Sequence, residues 1–390
     1  MIELYVRCAM LIAIFASRDT QRQYASKLSG YITSIGDRKP LVLWYKDLLK
    51  IKHWVKAIYT SMPSELDLAV AEVIKEKKNH PKHSNSKSIY WKFFEFIKSI
   101  ESKLLYTSYH DQLLNRKVEQ LVIWNGLKFR QRIAVIAAKK LSIPCCFIER
   151  GALPGTTTLD LKGINYLNSV PRDPAYYINR NIKDTLVTEV SGNGDSVELP
   201  DDYIFIPFQV NIDSQITMFS PWIDNMFSLV ELLLEVENVL GSSMPNVILK
   251  SHPSCEQCYQ ELFEKITKVS KKIFVINDVE TSILIKDSSA VVTINSSVGM
   301  EALLMRKKVI VLGQAFYNIQ GITLSANSTD ELIKNIKRVS NWEPNKHLTS
   351  SFLDYLKYEY VVKGSWHKPN LEHFQSMAQR LSLLVNSRAY

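Results

Sequence analysis

The chain has few cysteines, no apolar run of membrane-spanning length and no Asp-x-Asp pair, and each absence removes a class of protein. Its five cysteines, Cys8, Cys145, Cys146, Cys255 and Cys258, show no disulfide-scaffold spacing, which points to a reducing compartment. The apolar start, Leu4–Phe15, is interrupted by Arg7, lacks a basic leader and is too short to span a bilayer. It reads as the first buried strand of a sheet, in a protein that is soluble or peripheral. Without an Asp-x-Asp pair there is no metal grip of the kind a metal-dependent sugar transferase needs. Cys255-x2-Cys258 has no second pair to complete a zinc site, and His80 and His83 lack a third ligand, so no metal is expected. The basic residues are scattered and match no nucleic-acid-binding module, so nucleic acid is not an expected partner. There are no internal repeats.

A chain of 390 residues, 46% apolar and 10% aromatic, is long enough for two domains with real cores. Its net charge of +9 favours an anionic partner such as a nucleotide, an acidic sugar or a phospholipid surface. In the second half, strand-like runs at Tyr203–Phe208, Val247–Leu249, Ile273–Ile276, Ala290–Ile294 and Val309–Leu312 alternate with helix-period segments. Those segments are Trp222–Leu240, Cys255–Val269, Glu280–Lys286, Val298–Arg306 and Thr329–Val339. The alternation predicts an α/β fold with a parallel, doubly wound sheet, whose ligands bind beyond the carboxyl ends of the strands.

The first half is less regular. It offers a long helical region Tyr90–Arg116, the strands Leu121–Trp124 and Cys146–Ile148, and the helix Arg130–Leu141 between them. Lys75–Lys87 reads as a mobile surface loop and Asn181–Pro200 as an interdomain link. The expected organisation is GT-B-like, with two Rossmann-like domains at 1–195 and 196–345 facing a cleft. A helical segment at 346–390 packs back across it. Tyr90–Lys98 mixes aromatics with lysines: it reads as one face of a core helix, with contact to an anionic membrane as the alternative.

Three polar clusters leave three predicted strands at one edge. They are Gln209–Gln215, Lys250-Ser251-His252-Pro253 and Asn295-Ser296-Ser297. The serines open a helix, whose free N–H groups and partial positive charge suit a phosphate, although Ser296 or Ser297 equally serves as a helix cap. Lys250 and His252 suit a departing phosphate. Asp213 reads as nucleophile, base or cap, and Glu301 as an acceptor for ribose hydroxyls or a solvated helix residue. In the first half, Trp124-Asn125-Gly126 and Glu149-Arg150-Gly151 leave their strands. Glu149 reads either as a base for an acceptor hydroxyl or as an arginine partner, and Asp160 as a turn residue.

The ordered set resembles the bacterial capsule and O-antigen β-Kdo transferases, the KpsC/KpsS-like proteins and the related WbbB-type modules of lipopolysaccharide enzymes. It comprises Trp-Asn-Gly, Glu149-x-Gly-x-Leu-Pro-Gly-Thr with Asp160, Gln209-x3-Asp213-Ser214, Lys250-x-His252-Pro253 and Thr293-x-Asn295-Ser296-Ser297-Val-Gly299-x-Glu301. The resemblance covers about residues 120–325. It implies a metal-independent, retaining transfer of 3-deoxy-D-manno-oct-2-ulosonic acid (Kdo) from CMP-Kdo by double displacement. The acceptor is a saccharide or lipid-linked glycan, and peripheral contact with the inner membrane or an assembly complex is expected. By the same resemblance Asp213 matches the nucleophile. Gln209, Lys250, His252, Pro253, Asn295, Ser296 and Ser297 would hold CMP, Glu301 its ribose, and Glu149 would be the acid/base. The rivals are a transferase of another CMP-keto-sugar, a non-catalytic assembly or export factor, and a nonhydrolysing sugar-nucleotide epimerase.

Overall fold

A computed structural model of the chain describes residues 11–34, 39–48, 52–83, 86–184, 186–188, 198–255 and 257–386. It divides into two compact units: residues 1–75, 85–169 and 360–390 form the first, and 76–84 and 170–359 the second. Each is a Rossmann-like α/β unit built on its own six-stranded sheet.

In the first unit the strands are β1 (Ile12–Ala16), β2 (Leu41–Trp44), β3 (Gln120–Trp124), β4 (Cys145–Arg150) and β5 (Thr156–Asp160). The last is β12 (Val361–Lys363), and the sheet order is β12-β5-β4-β3-β1-β2. The four strands β2-β1-β3-β4 are parallel; β5 folds back antiparallel on β4, and β12 pairs antiparallel with β5. Alternation along each strand builds two cores. Ala13, Phe15, Leu121, Ile123 and Phe147 pack with the helices Ser88–Asn115 and Phe129–Lys140. Ile12, Ile14, Val122, Trp124 and Ile148 pack with Asp19–Ser34 and Leu371–Asn386.

The second sheet is entirely parallel. Its strands are β6 (Tyr203–Pro207), β7 (Asn246–Lys250), β8 (Ile273–Val275), β9 (Ala290–Thr293), β10 (Lys308–Val311) and β11 (Leu324–Ser325). Their order, β11-β10-β9-β6-β7-β8, is doubly wound, and it reverses direction between β6 and β9. All five strands expected in this half are present; the inner strands β6, β7, β9 and β10 bury their apolar runs on both faces, while the edge strand β8 leaves Phe274 exposed.

The unit boundaries fall at 169/170 and 359/360, where the sequence suggests 195/196 and 345/346. Hydrogen bonds account for the difference. Residues 170–184 are tied to the helix Lys346–Tyr355: Ser351 donates to the Tyr177 carbonyl (2.8 Å), and Asp354 accepts from the N–H groups of Lys183 and Asp184 (2.8 and 3.0 Å). Tyr360 donates instead to Asp160 (3.0 Å). The loop expected at Lys75–Lys87 is helical up to Lys78, at the end of the helix Glu65–Lys78. Part of the expected link, residues 185 and 189–197, and most of Leu4–Phe15 lie outside the described residues.

The return of β12 and the last helix buries His373. Its Nδ1 donates to the Lys363 carbonyl (2.9 Å), which leaves Nε2 to accept from the Tyr24 hydroxyl (2.8 Å). Burial lowers the His373 pKa, with the Lys363 and Gly364 backbone opposing. A histidine held neutral in the fold contributes stability that is fully present above its unfolded pKa of about 6.5 and is lost as pH falls below it. Urea midpoints measured between pH 7.5 and 5 should therefore fall with pH in the wild type and fall less in His373→Gln. Parallel slopes would show that this ring does not titrate with folding.

Candidate active site

Doubly wound sheets open a crevice where the strand order reverses. In the second unit that point lies between β6 and β9, whose ladder pairs only Ile204 with Ala290 and Phe205 with Val291. Beyond the ladder a buried amide pair takes over. Gln209 donates through Nε2 to Asn295 Oδ1 (2.9 Å), and its Oε1 accepts from the Asn295 backbone N–H (3.2 Å). Asn295 Nδ2 donates to the carbonyls of Gln215 (2.8 Å) and Phe219 (3.1 Å), tying the helix Ser214–Phe219 to the end of β9. Both residues are buried and internally satisfied, so they position the site and do not present polar atoms to a ligand.

Lys250 is also turned to the fold. Its ammonium donates to the carbonyls of Asn277 (2.5 Å) and Val279 (2.6 Å), and Ser251 N–H donates to Asn277 Oδ1 (2.9 Å). Burial lowers the Lys250 pKa, while Asp278 and Glu280 oppose the shift. The lysine fixes the loop after β8 and leaves its positive charge at the strand edge.

The groups that remain presented are Asp213, His252, Ser296, Ser297 and Glu301. Asp213 is exposed and caps the helix Ser214–Phe219 through Oδ1, which accepts from Gln215 N–H (2.9 Å) and Ser214 Oγ (3.3 Å). Its second oxygen takes no part in the cap. His252 accepts at Nδ1 from Ser254 N–H (3.1 Å), so in the neutral ring the proton sits on Nε2. Burial lowers its pKa, and the nearby Asp213 charge opposes that. Pro253 follows in an exposed turn.

Ser296 caps the helix Ser297–Leu304 by accepting from Val298 N–H (3.2 Å), and Ser297 is exposed at its first position. Tyr317, fully buried, donates to the Ser296 carbonyl (2.6 Å) and lies so close that a Cβ on Gly299 would sit 2.4 Å from its hydroxyl. One turn further in, Glu301 is half-buried, and burial alone raises its carboxyl pKa. It has no hydrogen-bond or ionic partner among the described residues.

Cys255-x2-Cys258 precedes the helix Gln260–Val269, contrary to the helix start expected at Cys255. Cys255 lies 3.7 Å from the Tyr259 hydroxyl. With Asn211, Ile212, Ser254, Asn79 and His80 it lines a cavity of about 80 Å³.

The first unit has its own reversal, between β1 and β3. Asn125 and Gly126, just past β3, both have positive φ (61° and 80°), and a Cβ on Gly126 would meet the Phe147 ring at 2.5 Å. This turn brings Asn125 Nδ2 to Glu149 Oε2 (3.1 Å), while Glu149 Oε1 accepts from Arg150 N–H (3.0 Å). Arg150 Nε donates to His367 Nε2 (3.3 Å), and the His367 ring stacks on Trp366 at 3.8 Å. Burial lowers the His367 pKa and so do Arg150 and Arg18, against Glu149. Sequence reasoning missed Arg18, His367 and Tyr317, because each reaches its site from a distant element that carries no motif. Asp160 is buried and accepts from Lys162, Gly163, Ser169 and Tyr360, as a structural turn residue does.

Residues 194–367 match the family described as capsule polysaccharide biosynthesis protein. Protein FixF of Sinorhizobium fredii is 32% identical over 315 residues, which is 77% of this chain and 75% of FixF. The capsule polysaccharide export protein KpsS of Escherichia coli is 31% identical over 134 residues, covering 32% of this chain and 33% of KpsS. Among solved structures, the β-Kdo 2,7-transferase KpsC of Thermosulfurimonas dismutans aligns with a TM-score of 0.40 and 17% identity, over 63% of this chain and 79% of that one. The UDP-GlcNAc 2-epimerase of Methanocaldococcus jannaschii aligns with a TM-score of 0.39 and 14% identity, over 96% and 100%.

The division into positioning and presented residues is measurable. Asn295→Ala leaves the buried Gln209 Nε2 donor unpaired and removes a bond to the Gln215 carbonyl, while the Phe219 carbonyl keeps its bond from Gln314 N–H, and should cost about 1–3 kcal/mol of stability. Ser297→Ala, at an exposed position, should stay within about 0.5 kcal/mol. Urea denaturation of the two variants compares them, and equal costs would remove the distinction.

Proposed function

The chain belongs to the KpsC/KpsS-like capsule polysaccharide biosynthesis family, and on that premise we propose that it transfers Kdo from CMP-Kdo to a saccharide or lipid-linked glycan acceptor, retaining the β configuration. The observation that carries this reading is the exposed Asp213 carboxylate. It stands at the carboxyl edge of the parallel sheet, where its charge acts on His252, on the side of the β6/β9 reversal at which doubly wound sheets generally bind ligands.

In the proposed first step a carboxylate oxygen of Asp213 attacks the anomeric carbon of Kdo. The bond from that carbon to the phosphate oxygen breaks, and its electron pair leaves with CMP. His252 Nε2–H, the Ser296 and Ser297 hydroxyls and the N-terminus of their helix supply hydrogen bonds and positive potential for the departing phosphate. Lys250 contributes its charge from its anchored position. Glu301, whose carboxylate has no partner among the described residues, accepts from the ribose hydroxyls. In the second step the acceptor hydroxyl attacks the same carbon, its proton passes to a carboxylate base for which Glu149 is the candidate, and the Asp213 carboxylate is released. Two inversions give retention. CMP is a good leaving group, so the chemistry proposed needs no metal, and the cysteine pattern suits a cytoplasmic site.

Intact-protein mass after incubation with CMP-Kdo generated in situ tests this directly. Wild type should gain one Kdo residue and Asp213→Asn none, and turnover with acceptor should be insensitive to chelator. CMP release without an adduct would keep the transfer and remove Asp213 as nucleophile. Preference for CMP-sialic acid would reassign the donor. Neither adduct nor CMP release with either donor would favour a non-catalytic polysaccharide-binding factor.

A further inference from the structure

The helix Ser88–Asn115 contradicts the expectation that its first turns are core. Ile89, Phe93, Phe96 and Ile97 are 74%, 64%, 60% and 43% exposed. Their spacing of i, i+4, i+7 and i+8 places them on one face, so an apolar stripe of the width that normally faces a core faces solvent. The opposite side of the same turns is the one that packs: Lys98 Nζ lies 5.6 Å from the Phe94 ring and 5.0 Å from the Phe129 ring, and it bonds Glu101 at 2.5 Å. A contiguous exposed stripe of large aliphatic and aromatic side chains marks a surface that something covers.

Charge identifies the occupant. Between residues 85 and 98, the stretch that belongs to the first unit, there are three lysines against one glutamate. Lys87 and Lys92 flank the stripe and are exposed. No helix among the described residues is long and apolar enough to cross a membrane. Aromatic and aliphatic residues on one face with lysines beside them form the pattern of a helix that lies in a lipid interface. The rings enter the acyl boundary and the ammonium groups reach the headgroup phosphates.

We propose that the stripe Ile89, Phe93, Phe96 and Ile97, with its flanking lysines, seats the first unit on an anionic lipid surface. The attachment is interfacial and reversible, and weakens with salt because part of it is the attraction of lysines to anionic headgroups. It does not depend on the proposed donor or nucleophile, and its failure would leave the proposed transfer untouched.

The test is co-sedimentation of the full chain with vesicles of phosphatidylcholine alone or with about 30% phosphatidylglycerol, at low and high salt. Phe93→Glu/Phe96→Glu is run beside the wild type, with circular dichroism melts to check folding and light scattering to report association. Wild type should partition onto the anionic vesicles about tenfold more strongly than onto the neutral ones and lose that preference in high salt; the variant should bind at least about tenfold more weakly. If the glutamate pair fails to fold, Phe93→Ala/Phe96→Ala gives the same comparison. Wild type that ignores anionic vesicles, or a folded variant that binds as well as wild type, overturns the proposal. A wild-type dimer that the variant loses, without vesicle binding, reassigns the stripe to a contact between copies of the chain.

Discussion

Much of the second unit's site depends on two amide side chains completing what the backbone stops doing. β6 and β9 pair for only two residues before they part, and parting is what opens a crevice. Gln209 and Asn295, 86 positions apart in sequence, rejoin the diverging segments with the same donor–acceptor chemistry that the ladder uses. A buried amide left unpaired costs more than a made one contributes, so this pair fixes geometry more strongly than it adds stability. The helix capped by Asp213 and the Ser296 turn both hang from it.

The first unit solves the same problem in another way. At its β1/β3 reversal the Ser17 backbone N–H donates to Gln21 (3.0 Å), and Gln131 donates to the Ser17 hydroxyl (2.7 Å). Beyond β3 the chain turns through two left-handed residues that hold Asn125 against Glu149. Amides again span the gap where strands separate. Here, however, the edge brings the charges of Arg150, Arg18 and Glu149 to bear on His367. The second unit's edge keeps its one lysine tied to carbonyls. The two edges therefore differ in electrostatic character although their strand logic is alike.

The sequence made the second sheet legible because strands covered on both faces read as unbroken apolar runs. β5 escaped because Thr156-Thr157-Thr158 reads as a polar loop. In the fold Thr157 donates to the Gly364 carbonyl and accepts from Trp366 N–H, pairings formed with residues two hundred positions away. β2, β11 and β12 are too short to show a period. The motifs lie at the carboxyl edge of the second sheet, but they do not encode whether a side chain there faces inward. Gln209 and Asn295 follow their strands as Asp213 and Ser297 do, and only the closing of β6 against β9 separates buried from presented. The helix Met226–Leu240 starts four residues later than its apolar pattern because Asn225 and Ser228 form a capping box that sets its first turn.

The tail that closes the first unit also sets the order in which the molecule can be finished. Val362, Trp366, Phe374, Met377, Ala378 and Leu381 supply a large part of one of its two cores. They all come after the second unit in chain order. Elongation at about 5–20 residues per second delivers the whole second unit before that core has its lid. The first unit must therefore wait, with one face of its sheet partly uncovered, until the residues that follow the second unit have been made. A nascent or truncated form would carry that uncovered sheet as an aggregation hazard, while its second half was already complete.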